Sequence, residues 1–347
     1  MKIAILTPKY LPSISGNATT VNRLVLGLNK NKISTKVIAT STKNNKEILG
    51  MVNKFNPDIV HAFHAYKSCP IALEVAKTLK KPLLVTATGT DVNHDLFNKE
   101  RRNEVINALK YSKKIVVFHK SIKAKIANNT LISKNKIKII KQAVKLARGK
   151  YDLRERLSLD KNDFVFLLPA GIREVKYHNF YIEGFERVHL KYNNAKLVVA
   201  GPVLEEDFAK DFFKKIKNFH WIYYLDKIPH DKIFYAMKSA DVVLNTSQSE
   251  GGMSNAVLEA MYSGKPVLAS NIEGNRSIIK DNFNGLLFSS ENDFFNKANK
   301  IISDKILRER LGKNAASFIK GNFNFEKEIN EYINIYTTIK ESSGTIN

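Results

Sequence analysis

The feature that most constrains this chain is a repeated exchange of short apolar runs with longer amphipathic ones. Lys2–Thr7, Lys36–Thr40, Ile59–Phe63, Leu83–Thr86 and Lys114–Phe118 are rich in Ile, Val and Leu, and are short enough for buried strands. Helical periodicity lies between them, at Thr20–Asn29, Ala72–Leu79 and Glu100–Ser112. A second series follows at Phe164–Pro169, Lys196–Ala200, Trp221–Tyr224, Val242–Asn245, Val267–Ala269 and Leu286–Phe288. Its intervening helices are expected at Phe180–Lys191, Glu205–Lys217, His230–Lys238, Ser254–Tyr262 and Asp293–Leu311. Such alternation predicts parallel βαβ units and doubly wound α/β sheets. The charged stretch Lys145–Asn162 lacks a sustained apolar face and reads as the link between two domains. The expected organisation is two Rossmann-like domains, 1–150 and 151–325, facing a central cleft. Glu326–Lys340 is a last helix with Ile and Tyr on one face. Residues 326–347 are expected to pack near the domain junction, with Glu341–Asn347 frayed.

Charge divides the chain unequally. Of 56 Lys and Arg and 33 Asp and Glu, Met1–Asp160 holds 31 basic and 10 acidic residues, and the remainder 25 and 23. An AT-rich coding sequence accounts for Lys exceeding Arg by 45 to 11, but it acts on both halves alike. The asymmetry therefore points to an anionic partner, which includes a peripheral contact with an anionic membrane surface. Val105, Ile106 and Leu109, flanked by Arg102, Lys110 and Lys113, form either a core face or an interfacial strip. Basic clusters with few interleaved aromatics and no RNA-binding signature make nucleic acid an unexpected partner. The single cysteine, Cys69, excludes an internal disulfide and a Cys-cluster metal site. Met1–Pro8 is too short and too alternating for a signal peptide, and no apolar run approaches a membrane span. The expected location is cytoplasmic, peripheral at the inner membrane face.

Three constellations fall at carboxyl ends of predicted strands, where open α/β sheets bind ligands. In Ser247–Gly264 a Gly251-Gly252 loop leads into a helix that Ser254 or Asn255 can cap and Gly264 can end. Unpaired amides at that helix start form an anion site, and the flanking carboxylates Glu250 and Glu259 suit sugar and ribose hydroxyls. A capped surface helix is the plainer alternative. In Leu168–Phe185, Arg173 and Lys176 follow a strand and can neutralise a leaving diphosphate, or form a solvated turn. In the first domain, Gly16 permits close backbone approach, and Asn17 or Thr19 can cap the first helix. His61 and His64 follow one strand, Thr86–Asp95 (TATGTDVNHD) another, and His119 a third; each histidine reads equally as packing. His61-x-x-His64 lacks a carboxylate at a ligand-like offset, so no metal site is expected; no cofactor is expected either.

Taken together these residues resemble the retaining GT-B glycosyltransferases of family 4. SEGGMSNAVLEAMYSGKPVLAS looks like their donor motif, followed by NGLLF at Asn284–Phe288. AGIREVK resembles their phosphate turn, and DIVHAFHA their third-strand end. SGN near the start, HA followed by Lys67-Ser68, and TGTD look closest to the selenosugar synthases and the "glycosyltransferase 1 domain-containing" proteins. The resemblance implies a metal-independent hexosyltransferase-type enzyme using a nucleotide-diphosphate sugar. It implies that Glu259 holds ribose and Glu250 meets donor-sugar hydroxyls. Gly252, Met253, Ser254 and Asn255 would contact sugar and diphosphate, Arg173 and Lys176 would stabilise the departing β-phosphate, and the Gly16 amide would approach it. The acceptor side would comprise Asn17, His64, Lys67, Thr88, Asp91 and His119. Eight residues separate Glu250 from Glu259 where seven are usual, and Thr88 stands where many members have His. Alternatives are transfer to a small anionic nucleophile, as in selenosugar synthesis, or a non-catalytic polyanion-binding module.

Overall fold

The protein is described here by a computed structural model covering residues 1–12, 15–146, 149–176, 178–250 and 252–344. The chain forms two compact units, one from Met1–Ala143 with the C-terminal segment from Phe323, the other Val144–Asn322.

The first unit is built on a six-stranded parallel sheet. Its strands are β1 (Lys2–Thr7), β2 (Ser34–Ala39), β3 (Ile59–Phe63), β4 (Leu83–Ala87), β5 (Lys114–Val117) and β6 (Ile137–Ile139), ordered β2-β1-β3-β4-β5-β6. All residues of β3 and β4 are buried, as expected for central strands covered on both faces. β6 is a three-residue edge strand with an exposed central Lys138, and its shortness hides it from a periodicity reading. The order reverses between β1 and β3, so the loops following these strands flank a topological switch point.

The strip on the helix Arg102–Tyr111 is a core face: Val105 and Leu109 are fully buried and Ile106 packs against the same cluster. The interfacial alternative is thereby overturned. Its apolar side chains cover the sheet, while Arg102 donates to the carbonyls of Leu96 and Asn129 at 2.9 and 2.8 Å.

The last helix, Phe325–Gly344, belongs to the first unit rather than forming a separate segment. Its Ile329, Tyr332, Tyr336 and Ile339 are buried. Ile329 lies so close to Gly27 that a Cβ there would come within 2.3 Å of it. Arg23 donates twice to the Glu328 carboxylate, at 2.7 and 2.9 Å, in a buried bidentate pair. The first unit's leading segment ends at Ala143, where the expected boundary was 150, and the helix adds apolar cover to this unit from the far end of the chain.

The second unit carries β7 (Phe164–Pro169), β8 (Ala195–Ala200), β9 (Ile222–Leu225), β10 (Val242–Asn245), β11 (Val267–Ser270) and β12 (Leu286–Phe288). All are parallel, in the order β12-β11-β10-β7-β8-β9, with the switch point between β7 and β10. The expected single helix Asp293–Leu311 is two, Glu291–Ser303 and Lys305–Asn322. Asp304 divides them: its backbone is extended, and its Oδ1 accepts the Leu307 N–H at 2.8 Å, restarting the helix.

Candidate active site

In the second unit the loops after β7 and β10 bring together the residues that the sequence singled out. The turn after β7 is held from outside by Gly201, where a Cβ would come within 2.3 Å of the Ala170 carbonyl, and by the Ile172–Val203 bridge. Glu174–Lys176 then makes one 3₁₀ turn before the helix His178–Lys191. The Gln248 N–H donates to the Val175 carbonyl at 3.0 Å, and Thr246 Oγ1 to the Lys176 carbonyl at 2.6 Å. The two loops are therefore laced to each other by one backbone bond and one from the Thr246 hydroxyl to a backbone carbonyl.

Lys176 and Glu250 form the centre of the site. Lys176 Nζ lies 2.6 Å from Glu250 Oε1, with both side chains mostly covered. Ser247 Oγ donates to the same oxygen at 2.7 Å and Asn245 Nδ2 at 3.1 Å. Burial pushes the Glu250 carboxyl upward, but the adjacent Lys176 charge and these hydrogen bonds outweigh it and hold the group below the ordinary carboxylate range. Lys176 also donates to Ser247 Oγ at 3.0 Å.

Asn245, Ser247 and Asn275 were not singled out from the sequence. The fully buried Asn275 donates to Asn245 Oδ1 at 3.0 Å and to the Ser270 carbonyl at 3.0 Å, fixing the amide that faces Glu250. The signal for Asn275 lay in NIEGN, whose Gly274 also permits contact: a Cβ there would meet the Gly252 carbonyl at 2.4 Å and Glu250 Cβ at 2.8 Å.

The helix Asn255–Tyr262 starts at Ser254, which occupies the N-cap position but makes no side-chain capping bond. Its hydroxyl accepts from Asn245 Nδ2 at 3.2 Å instead. The helix thus starts beside the site without a capping bond from the Ser254 side chain. Gly264 follows the helix in the left-handed region at φ +73°, as its sequence position predicts. Met253 and Ser254 are buried, and Gly252 and Asn255 half-buried; Gly251 lies outside the described residues.

Arg173 is half-buried, and its buried Nε has no hydrogen-bond partner. His178, which follows the turn, is buried against the rings of Phe208 and Phe212. Burial pushes its pKa down to about 4.

Glu259, buried on the second turn of the same helix, is met by a residue not singled out as functional: His230 Nε2 lies 2.8 Å from Glu259 Oε1. The expected helix His230–Lys238 begins instead at Ile233, which leaves His230 on the loop after β9.

In the first unit the acceptor-side candidates are mostly engaged in holding loops. Asp91 is fully buried; its Oδ2 accepts from Ala65 N at 2.7 Å and Thr88 N at 3.1 Å, its Oδ1 from Gly89 N at 2.7 Å and Val92 N at 3.1 Å. It pins the loop after β4 to the loop after β3. His64, buried and at φ +78°, accepts the Lys67 and Tyr66 N–H groups through Nδ1 at 3.1 and 3.3 Å. Its Nε2 lies 3.0 Å from Thr90 Oγ1, and burial lowers its pKa against the pull of Asp91 and Asp95.

His61 is a packing residue. It is enclosed by Tyr336 Oη and Thr86 Oγ1, each 2.7 Å away, and burial pushes its pKa down to about 3. His119 caps the helix Lys120–Asn129, accepting the Ser121 N–H at 3.2 Å. Lys67 is exposed and Thr88 half-buried. The first helix, Gly16–Lys30, is capped by Ser15, which accepts the Ala18 N–H at 3.1 Å. Neither Asn17 nor Thr19 caps it, because both lie inside the first turn; Gly16 is exposed and Asn17 half-buried. Cys69 is buried, and its thiol is pushed upward by that burial. Among the described residues no group of three or more His, Cys, Asp or Glu side chains could hold a metal ion, and no helix is long and apolar enough to cross a membrane.

Comparison with known proteins gives this geometry a family. The profile described as "Glycosyl transferases group 1" matches residues 150–318, which include the whole constellation of the second unit. Glycosyltransferase 1 domain-containing protein 1 of Xenopus tropicalis is 31% identical over 251 residues, covering 70% of this chain and 72% of that protein. The UDP-Gal:alpha-D-GlcNAc-diphosphoundecaprenol alpha-1,3-galactosyltransferase of Escherichia coli is 25% identical over 308 residues, covering 82% and 76%. Among solved structures, Anabaena Alr3699/HepE in complex with UDP-glucose superposes with a TM-score of 0.83 at 15% identity, over 97% of this chain and 100% of the other. That likeness establishes the fold, two Rossmann-like units of the GT-B class. With the donor-type motif, the fold and a relative of this identity and coverage in hand, the chain belongs to the group 1 glycosyltransferases.

Proposed function

We propose that the protein transfers a sugar from a nucleoside diphosphate sugar, retaining the anomeric configuration. The observation that carries this reading is the group Lys176, Glu250, Ser247 and Asn245 beside the weakly capped helix start at Ser254. Cations and amides converge there on a place where an anion can sit, and carboxylates suited to hydroxyls stand beside it. In the free protein Lys176 is neutralised by Glu250. An incoming diphosphate replaces that partner, and Glu250 turns to hydroxyls of the donor sugar. Arg173, whose Nε has no internal partner, adds a second cation, and Glu259 takes the ribose. The charge developing on the departing phosphate is then stabilised by groups already in place, which is where such a site gains most of its rate. Stabilising the leaving group on the face where the acceptor attacks is what favours retention.

The same reading assigns the phosphate charge to side chains and amides rather than to a metal. EDTA-treated protein should keep its activity, and a loss restored by Mg²⁺ or Mn²⁺ would refute that assignment. A thermal-shift panel of UDP, GDP, ADP and dTDP with their sugars tests the donor. A ligand at 100 times its Kd should stabilise by about 2.7 kcal/mol. No shift with any of them would reject the proposal.

For the acceptor, we favour an anionic or lipid-linked molecule. The support is the basic excess of Met1–Asp160 and the E. coli relative, whose name gives a diphosphoundecaprenol acceptor. Co-sedimentation with anionic but not neutral vesicles, lost at high salt, is the expected result. Binding to neither would leave a small soluble anion as the acceptor.

A further inference from the structure

We propose that His230 is a positioning residue for Glu259, orienting the carboxylate that selects ribose over deoxyribose in the nucleotide. The inference rests on the donor-site reading and adds to it a residue that the sequence reading gave only as the start of a helix.

The geometry begins with a fixed loop. After β9, Lys232 N donates to the Pro229 carbonyl at 2.8 Å, closing a tight turn around His230. The Asp231 carbonyl accepts the Gly149 N–H at 3.0 Å, and a Cβ at Gly149 would stand only 3.1 Å from that oxygen, so the turn is seated closely on neighbouring chain. From this support the imidazole bridges 29 positions of sequence to Glu259, with Nε2 at 2.8 Å from Oε1. The His230 side chain is 39% exposed and that of Glu259 12%, so the ring lies at the rim and the carboxylate deeper.

A carboxylate offers about four acceptor sites on two oxygens. His230 uses one, on Oε1. The remaining capacity suits the vicinal hydroxyls of a ribose, which need both oxygens held in one plane. The imidazole donates through Nε2–H in its neutral Nε2 tautomer and as imidazolium alike, so the role does not depend on its charge. Without it the glutamate regains its rotamers, and ordering them on binding then weighs against the ligand. A 2′-deoxynucleotide offers one hydroxyl fewer. The ribo-to-deoxy affinity ratio therefore reads the alignment of Glu259 directly.

The test uses the full chain and isothermal calorimetry. The probe is whichever of UDP, GDP and ADP binds the wild type most tightly, together with its 2′-deoxy counterpart. His230→Ala should weaken the ribonucleotide about tenfold and shrink the ribo-to-deoxy ratio. His230→Gln, which keeps an N–H donor, should recover most of both. In a Glu259→Gln background, His230→Ala should no longer change the ratio, whereas a loop-folding or direct-contact role would persist there. Unchanged affinity and ratio in His230→Ala overturn the proposal, as does a loss undiminished in the Glu259→Gln background. Failure of the wild type to bind any of the three diphosphates, or full affinity and ratio in Glu259→Gln alone, overturns the ribose reading itself. The two failures are thus told apart.

Discussion

In the first unit the loop after β4 closes on Asp91, whose two oxygens accept four backbone N–H groups. In the second, the loop after β10 closes on Glu250, and side chains of Lys176, Ser247 and Asn245 all converge on Oε1. Both carboxylates follow carboxyl ends of parallel strands, Glu250 at the point where the second sheet's strand order turns and Asp91 one strand beyond that point in the first. The difference lies in what satisfies them. Backbone donors cannot leave without undoing the loop, so Asp91 is part of the scaffold. Side-chain donors can turn to another partner without undoing the loop, and the proposed donor role of the Glu250 group depends on that difference. The histidines divide in the same way: His61 and His64 are enclosed by their own unit, while His230 stands partly exposed beside Glu259.

The largest effect that would break this comparison is at Lys176. Lys176→Ala should lower kcat/KM by about 10²–10³, as expected for removing a preorganised charge from a transition state, with the melting transition retained. Wild-type turnover in that variant would mean that the second unit's charged group is scaffold too. Asp91→Ala should do the opposite. Leaving buried N–H groups without an acceptor should destabilise the protein by about 3 kcal/mol, read from the urea midpoint. A stable Asp91→Ala protein that has lost activity would move Asp91 into the acceptor site.

The third prediction concerns acid. His61 and His178 have folded values pushed by burial to about 3 and about 4, against an ordinary 6.5, and burial also lowers His64. Each is neutral in the folded protein, so the unfolded chain takes up their protons first as the pH falls. Stability should therefore be complete above about pH 6.5 and decline as the pH falls from there through 4 towards 3. Glu250, held low, adds stability that is complete above the ordinary carboxylate range and is lost as the pH falls from that range through its lower folded value. His61→Gln should flatten the slope between pH 6 and 4 in urea titrations. An identical slope would place the acid sensitivity elsewhere.

The smallest effect is expected at Thr88. Its N–H is already held by Asp91, in a loop whose neighbour Gly89 has φ +118°. Thr88→His should leave turnover within about twofold of wild type, because the surrounding loop is arranged around Asp91 rather than around a histidine. A large gain would reveal a site from which the histidine has been lost.

Much of the fold was legible because its signals are local. Ile and Val runs of strand length, amphipathic stretches between them and the Gly264 stop each reflect short-range backbone and burial preferences. Arg173, Lys176, Glu250 and Glu259 were singled out for a related reason, since segments that follow strands in a doubly wound sheet face the ligand edge, and the structure brings Lys176 and Glu250 into contact. The β6 edge strand and the break at Asp304 escaped because three residues and one capping carboxylate leave no periodicity to read.

The sequence by itself determined the α/β class, the two strand series and which residue types crowd the strand ends. Tertiary structure alone decided their roles. Nothing near Asp91 in the chain announces that the distant Ala65 N–H will reach it, and nothing near His230 points 29 residues ahead to Glu259. The final helix became part of the first unit through Arg23 and Glu328, 305 positions apart. Whether a polar side chain is scaffold or site depends on who completes its hydrogen bonds, and those partners come together only when distant segments pack.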